Sequence, residues 1–91
     1  MVPADTNRGC TIMWVYLLES LSVSGKRYVG LTADLHRSLD EHNAGKSPHT
    51  RKHRPWRIAA AVWFADEPKA RAFETYLKSG SGHAFAKRHF W

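Results

Sequence analysis

Trp14-Val15-Tyr16-Leu17-Leu18 is followed, across a polar stretch holding Ser20, Ser22, Ser24 and Gly25, by Lys26-Arg27-Tyr28-Val29-Gly30-Leu31. The first run is aromatic and aliphatic and reads as a buried strand; the second, ended by Gly30 and Thr32, reads as another. The link between them is too short for a parallel crossover, so the two strands form an antiparallel hairpin. That hairpin brings Tyr16 and Tyr28 onto neighbouring strands, where both phenols can converge on one surface.

Outward from the hairpin, Asp34 is an N-cap for a helix over residues 35–43, closed by Ala44-Gly45. Leu35 and Leu39 supply its inward i, i+4 pair, and Ser38 and His42 run parallel on the flank. Gly45 to Pro55 is poor in apolar residues and reads as a loop. Trp56 to Ala65 is a near-continuous apolar run, expected as a third and most buried strand, with Ala59, Ala60 and Ala61 its weak point because alanine favours helix. Asp66 caps a second helix that tolerates Pro68 in its first turn. Ala70, Phe73 and Leu77 form its inner face and Gly80 is expected to end it. A short third helix is expected over residues 82–88. The order β-β-α-β-α-α makes a small α/β domain over residues 13–91, preceded by a flexible tail over residues 1–12.

The composition narrows the function classes. Ninety-one residues suffice for one core, and 14 Lys and Arg against 8 Asp and Glu give a net charge of +6, which favours a polyanionic partner. Cys10 is the only cysteine, so no internal disulfide forms, no disulfide-linked partner is expected, and a reducing cytoplasmic setting is the expectation. No apolar run approaches the ~20 residues of a membrane span, and no signal peptide is legible. The charge is concentrated: Lys46, Arg51, Lys52, Arg54 and Arg57, with His49, His53 and Trp56, lie in a segment without an acid. Such a segment is suited to a phosphate backbone.

Several local patterns carry nothing. Gly45-Lys46-Ser47 resembles the end of a phosphate-binding loop, but Asp40 stands where that loop needs glycine. His49 and His53 have zinc-like spacing without thiolates to complete a site. Ser38 and Asp40 are two apart on a helix and diverge, so Ser38, Asp40 and His42 make no relay. Glu74 is different: it stands beside Phe73 and Leu77, where an acid is costly unless paired or bound to a cation.

Taken as an ordered set, Trp14-Val15-Tyr16, Tyr28-Val29-Gly30-Leu31-Thr32, Leu35, His42-Asn43 and Glu74 in Ala-Phe-Glu-Thr-Tyr-Leu-Lys-Ser-Gly resemble the GIY-YIG nuclease superfamily, and within it the short stand-alone bacterial type. The resemblance implies a three-stranded antiparallel sheet flanked by helices and metal-dependent endonuclease activity on DNA, with RNA a further partner class. It implies that Glu74 binds Mg²⁺ or Mn²⁺ and that Tyr16 or Tyr28 serves as base towards water, with His42 in the same site; of the two, Tyr16 is taken as the base and Tyr28 as the residue that orients the water or phosphate. A phenol titrates near ~10, so that base role calls for positive charge nearby, and Lys26 is the candidate. Nucleic-acid contacts are expected from Lys26, Arg37, Lys46, Arg51, Lys52 and Arg54. Ser38 occupies the position of the family's helix arginine, which grips the phosphate. The alternative to an active enzyme is therefore a nucleic-acid-binding module of the same fold that has lost turnover. Arg37 lies about 100° around the helix from that position.

Overall fold

A computed structural model describes residues 13–91; the expected N-terminal tail lies outside the described residues. The element order is β1 (Met13–Ser20), β2 (Arg27–Thr32), α1 (Leu35–Asn43), a 3-10 turn (Arg51–His53), β3 (Trp56–Phe64), α2 (Glu67–Leu77) and α3 (Gly80–His89). The three strands form one antiparallel sheet in the order β2-β1-β3. The α/β fold inferred above is the observed one.

The local signals act as their chemistry dictates. Asp34 caps α1 by accepting from the Arg37 amide, and Asp66 caps α2 by accepting from the Lys69 amide, with proline in the first turn. In the β1–β2 hairpin the Ser20 hydroxyl accepts from the Ser22 and Val23 amides at 3.1 and 2.9 Å and donates to the His53 carbonyl at 2.7 Å. One side chain thus shapes the turn and ties it to the distant loop.

Alternation along β1 divides the core in two. Val15 and Leu17 meet Ala70 and Leu77 of α2 and Ala86 of α3 on one face. Tyr16 and Leu18 meet Trp56, Leu35 and Leu39 on the other, beneath α1. The helices therefore cover opposite faces of the sheet, and the middle strand is enclosed on all sides.

The rank of the strands, the end of α2 and the bounds of α3 are corrected, while the alanine run proves to be the weak point of β3 as expected. The most buried strand is β1, not β3: Val15 to Leu18 are all buried, whereas only Trp56 is buried in β3, because β3 is an edge strand and β1 the centre. The alanine run is where β3 gives way. Leu17 pairs with Ala60 and Leu18 with Ile58, so Ala59 is skipped in a bulge, and Ile58 and Ala61 consequently share one face despite their odd spacing. Gly80 does not end α2. That helix stops at Leu77, Ser79 caps α3 by accepting from the Gly82 amide, and α3 begins at Gly80, extending over residues 80–89 rather than 82–88.

Candidate active site

Tyr16 sits in the middle of β1 opposite Gly30 of β2. A side chain at Gly30 would collide with it: a Cβ there would lie 2.6 Å from the Tyr16 hydroxyl. Glycine is needed because the phenol lies across the edge strand at that point. Tyr28 is two residues earlier on β2, opposite Leu18, and therefore on the same face as Tyr16.

The Tyr16 hydroxyl is 2.9 Å from His42 Nε2. His42 is the buried residue of α1, and its Nδ1 is 2.7 Å from the hydroxyl of Thr50. Thr50 is fully buried, and its carbonyl accepts from the Trp56 indole N–H at 2.8 Å. The adjacent Asn43 clamps the same region, accepting from the Trp56 amide at 2.7 Å and donating to its carbonyl at 3.1 Å. A continuous line thus runs from Thr50 through His42 to Tyr16. Tyr28 completes a ring cluster, its centroid 6.3 Å from Tyr16 and 5.0 Å from His42.

Thr50 is the member that the sequence did not disclose. It lies in an aperiodic loop eight positions beyond His42, and only closure of that loop against Trp56 brings it to the ring.

Ser38 lies one turn before His42 and donates to the Thr32 hydroxyl at 2.5 Å. Arg37 is turned away to the Glu41 carboxylate at 3.2 Å, in an exposed pair, so it places no guanidinium beside Ser38. Glu74 projects from α2, whose helix covers the other face of the sheet and packs on both β1 and β2. Its carboxylate pairs with Lys78 at 3.1 Å and is also among the charges acting on Tyr16.

Burial pushes the Tyr16 phenol up from 10.0 to about 12; Tyr28 adds to the rise, the Ser38 hydroxyl opposes it, and the Glu74 and Glu41 carboxylates add further. The expected positive neighbour is therefore replaced by negative ones. Lys26 is not among the groups acting on the phenol; it lines a separate cleft at the hairpin end of β2.

Burial lowers the His42 pKa below 6.5, against a smaller opposing effect of Glu41. The ring is neutral at pH 7, with one donor and one acceptor nitrogen. An unfolded chain takes up this proton near 6.5, whereas the folded chain does so only at lower pH. His42 therefore contributes stability in full above that value and loses it as pH falls towards its lower folded pKa. Denaturant unfolding at about pH 7.5 and about pH 5 should show a smaller loss of stability for His42→Gln than for the parent. An equal loss in both would assign the pH dependence to other groups.

Among the described residues there is no group of three or more His, Cys, Asp or Glu that could hold a metal by itself. Glu74 supplies a single oxygen donor group. That set fits a hard cation which keeps most of its waters and is completed by substrate phosphate, as Mg²⁺ commonly is, and does not fit a cage made by protein alone.

Lys46, Arg51, Lys52 and Arg54 are exposed around the 3-10 turn, which Ser20 and Thr50 hold from below. Arg54 bends back to donate to the Arg51 carbonyl at 2.9 Å, leaving the other three directed outward.

Residues 12–88 match the model of the GIY-YIG catalytic domain. The chain belongs to the GIY-YIG family. It is 36% identical over 66 residues to a UPF0213 protein of Streptococcus pneumoniae serotype 4 (strain ATCC BAA-334 / TIGR4), a match covering 71% of this chain and 65% of that relative. It is also similar to the NMR solution structure of a UPF0213 protein from Bacillus halodurans, with a TM-score of 0.52 and 28% identity, over 87% of this chain and 86% of that one. GIY-YIG proteins form a nuclease superfamily, generally dependent on divalent metal and acting on nucleic acid. Among the described residues no helix is long and apolar enough to cross a membrane.

Proposed function

We propose that this GIY-YIG protein is a cytoplasmic endonuclease that hydrolyses DNA phosphodiester bonds with Mg²⁺ or Mn²⁺. The observation that carries the reading is the hydrogen-bonded line from Thr50 through His42 to Tyr16, set beside Tyr28 and under the influence of Glu74.

A phenol raised to about 12 is a poor base if it must first lose its proton to solvent. The neutral imidazole beside it removes that requirement. With Nδ1–H donating to Thr50, His42 Nε2 accepts the Tyr16 proton as the phenol oxygen takes one from the attacking water. The water oxygen bonds to phosphorus while the bond to the leaving oxygen breaks. Tyr28 is positioned to orient the water or a phosphate oxygen. Glu74 would hold the divalent cation, which when bound stabilises charge on the phosphate and leaving group.

A second reading rests on Ser38. Its hydroxyl is engaged with Thr32 and Arg37 with Glu41, so the phosphate loses the family's arginine. On that reading the domain binds nucleic acid without turning it over. Incubation of supercoiled plasmid with the full chain decides between them. Nicking that requires Mg²⁺ or Mn²⁺ and stops with chelator supports the nuclease; binding without nicking supports the module.

The basic turn gives a separate expectation. Replacing Arg51, Lys52 and Arg54 together by Gln should weaken duplex binding and lower the slope of log affinity against log salt by roughly 0.9 for each phosphate no longer neutralised. An unchanged slope would remove this turn from the interface.

A further inference from the structure

A cleft of about 520 Å³ opens along the outer side of β2, between the hairpin and helices α2 and α3. Lys26, Arg27, Lys78 and His83 line it together with Tyr28 and Trp91, and no Asp or Glu is among its lining residues. The Arg27 guanidinium lies 4.8 Å over the Trp91 ring, an arrangement that fixes a flexible cation against an aromatic wall. Two links connect this cleft to the site above. Tyr28 belongs to both, and Lys78 is the ion-pair partner of Glu74.

We infer that this cleft binds the nucleotide adjoining the scissile phosphate, holding its phosphodiester with Lys26 and with Arg27, which Trp91 fixes in place. The inference rests on the nuclease reading and deepens it by assigning the path of the substrate strand. The volume is within the ~300–1,000 Å³ usual for small-ligand sites. An acid-free lining with several cations favours a phosphate-rich occupant over a neutral one. A strand leaving this cleft would have to round the outer edge of β2, passing Tyr28, to meet the face that carries Tyr16 and His42. The basic turn of residues 51–53 belongs to the loop that closes over His42, and would take up backbone farther along.

The test reads binding alone, using the full chain and a short fluorescent duplex in chelator, so that no cleavage occurs. Lys26→Glu should weaken binding about tenfold and reduce the salt slope by roughly 0.9. Lys26→Arg should restore most of the affinity. Lys87→Glu makes the same change in net charge on an exposed position of α3 outside the cleft and should have a much smaller effect. Equal weakening by Lys26→Glu and Lys87→Glu would mean that only overall charge matters, and the subsite would be withdrawn. Parent-like binding by Lys26→Glu would also end it, while leaving plasmid nicking as a separate result. Failure of the parent chain to bind duplex would overturn both this inference and the nuclease reading.

Discussion

Glu74→Gln should lower metal-dependent nicking of plasmid DNA by about 10²–10³-fold, the scale seen when one electrostatic contributor to an active site is removed. The change keeps the shape of the side chain and removes only its charge. Its structural cost is small. The Lys78 partner is an exposed i, i+4 neighbour with 54% of its side chain accessible, and pairs of that kind contribute about 0.3–0.5 kcal/mol. A melting curve close to that of the parent is therefore expected, separating impaired chemistry from an impaired fold. Binding of duplex in chelator should become slightly tighter, since a carboxylate is removed from the vicinity of phosphate and Lys78 is freed. Retained nicking with a normal melting curve would remove Glu74 from the reaction and with it the assigned cation site.

How much of this was legible in the sequence differs between elements for physical reasons. Helix α1 was readable to the residue because both its ends are encoded locally, by the Asp34 side chain and by Ala44-Gly45. The rank of the strands was not. An apolar run reports that a strand is covered, but its place in the sheet depends on which neighbour pairs with which edge. The sequence neighbours β1 and β2 form a hairpin, and β3 then takes the free edge of β1, leaving the strand with the longest apolar run at the margin. Gly80 misled for a related reason: glycine serves at either end of a helix, and Ser79 decides the matter through a cap visible only once α3 has formed.

The site divides along the same line. Tyr16, Tyr28, His42 and Glu74 are candidates through the order and residue types that carry the family resemblance; the register of β1 with β2 brings the two tyrosines to one face and α1 brings His42 to them, whereas Glu74 stands on a helix over the other face. Charge around the phenol was not recognisable. Lys26 lies on the adjoining strand connection, yet the hairpin directs it to the cleft, whereas Glu74 acts on Tyr16 from a helix on the far side of the sheet. Thr50 reaches His42 only through folding of the intervening loop. Such contacts belong to tertiary closure, and no periodicity announces them.

Ser38→Arg should raise metal-dependent nicking by about 10²–10³-fold, the reverse of removing one such donor. Position 38 is on α1 one turn before His42, and its hydroxyl already acts on the Tyr16 phenol, so a guanidinium placed there enters the same surroundings. The charges now acting on that phenol are negative, and burial with their help raises it to about 12. A cation at this position opposes both causes and brings the pKa back towards 10.0. It also offers a planar pair of donors to a phosphate oxygen, which a serine hydroxyl cannot match. The substitution gives up the hydrogen bond from Ser38 to Thr32, which costs about 1 kcal/mol, so melting temperature should fall slightly while activity rises. The diagnostic measurement is single-turnover nicking at saturating protein. A guanidinium that acts on the reacting phosphate and the phenol raises the saturated rate, whereas a variant that merely binds DNA more tightly raises nicking only below saturation. No gain in rate, with duplex binding and melting intact, would show that the limit on turnover lies elsewhere than in the charge beside Tyr16.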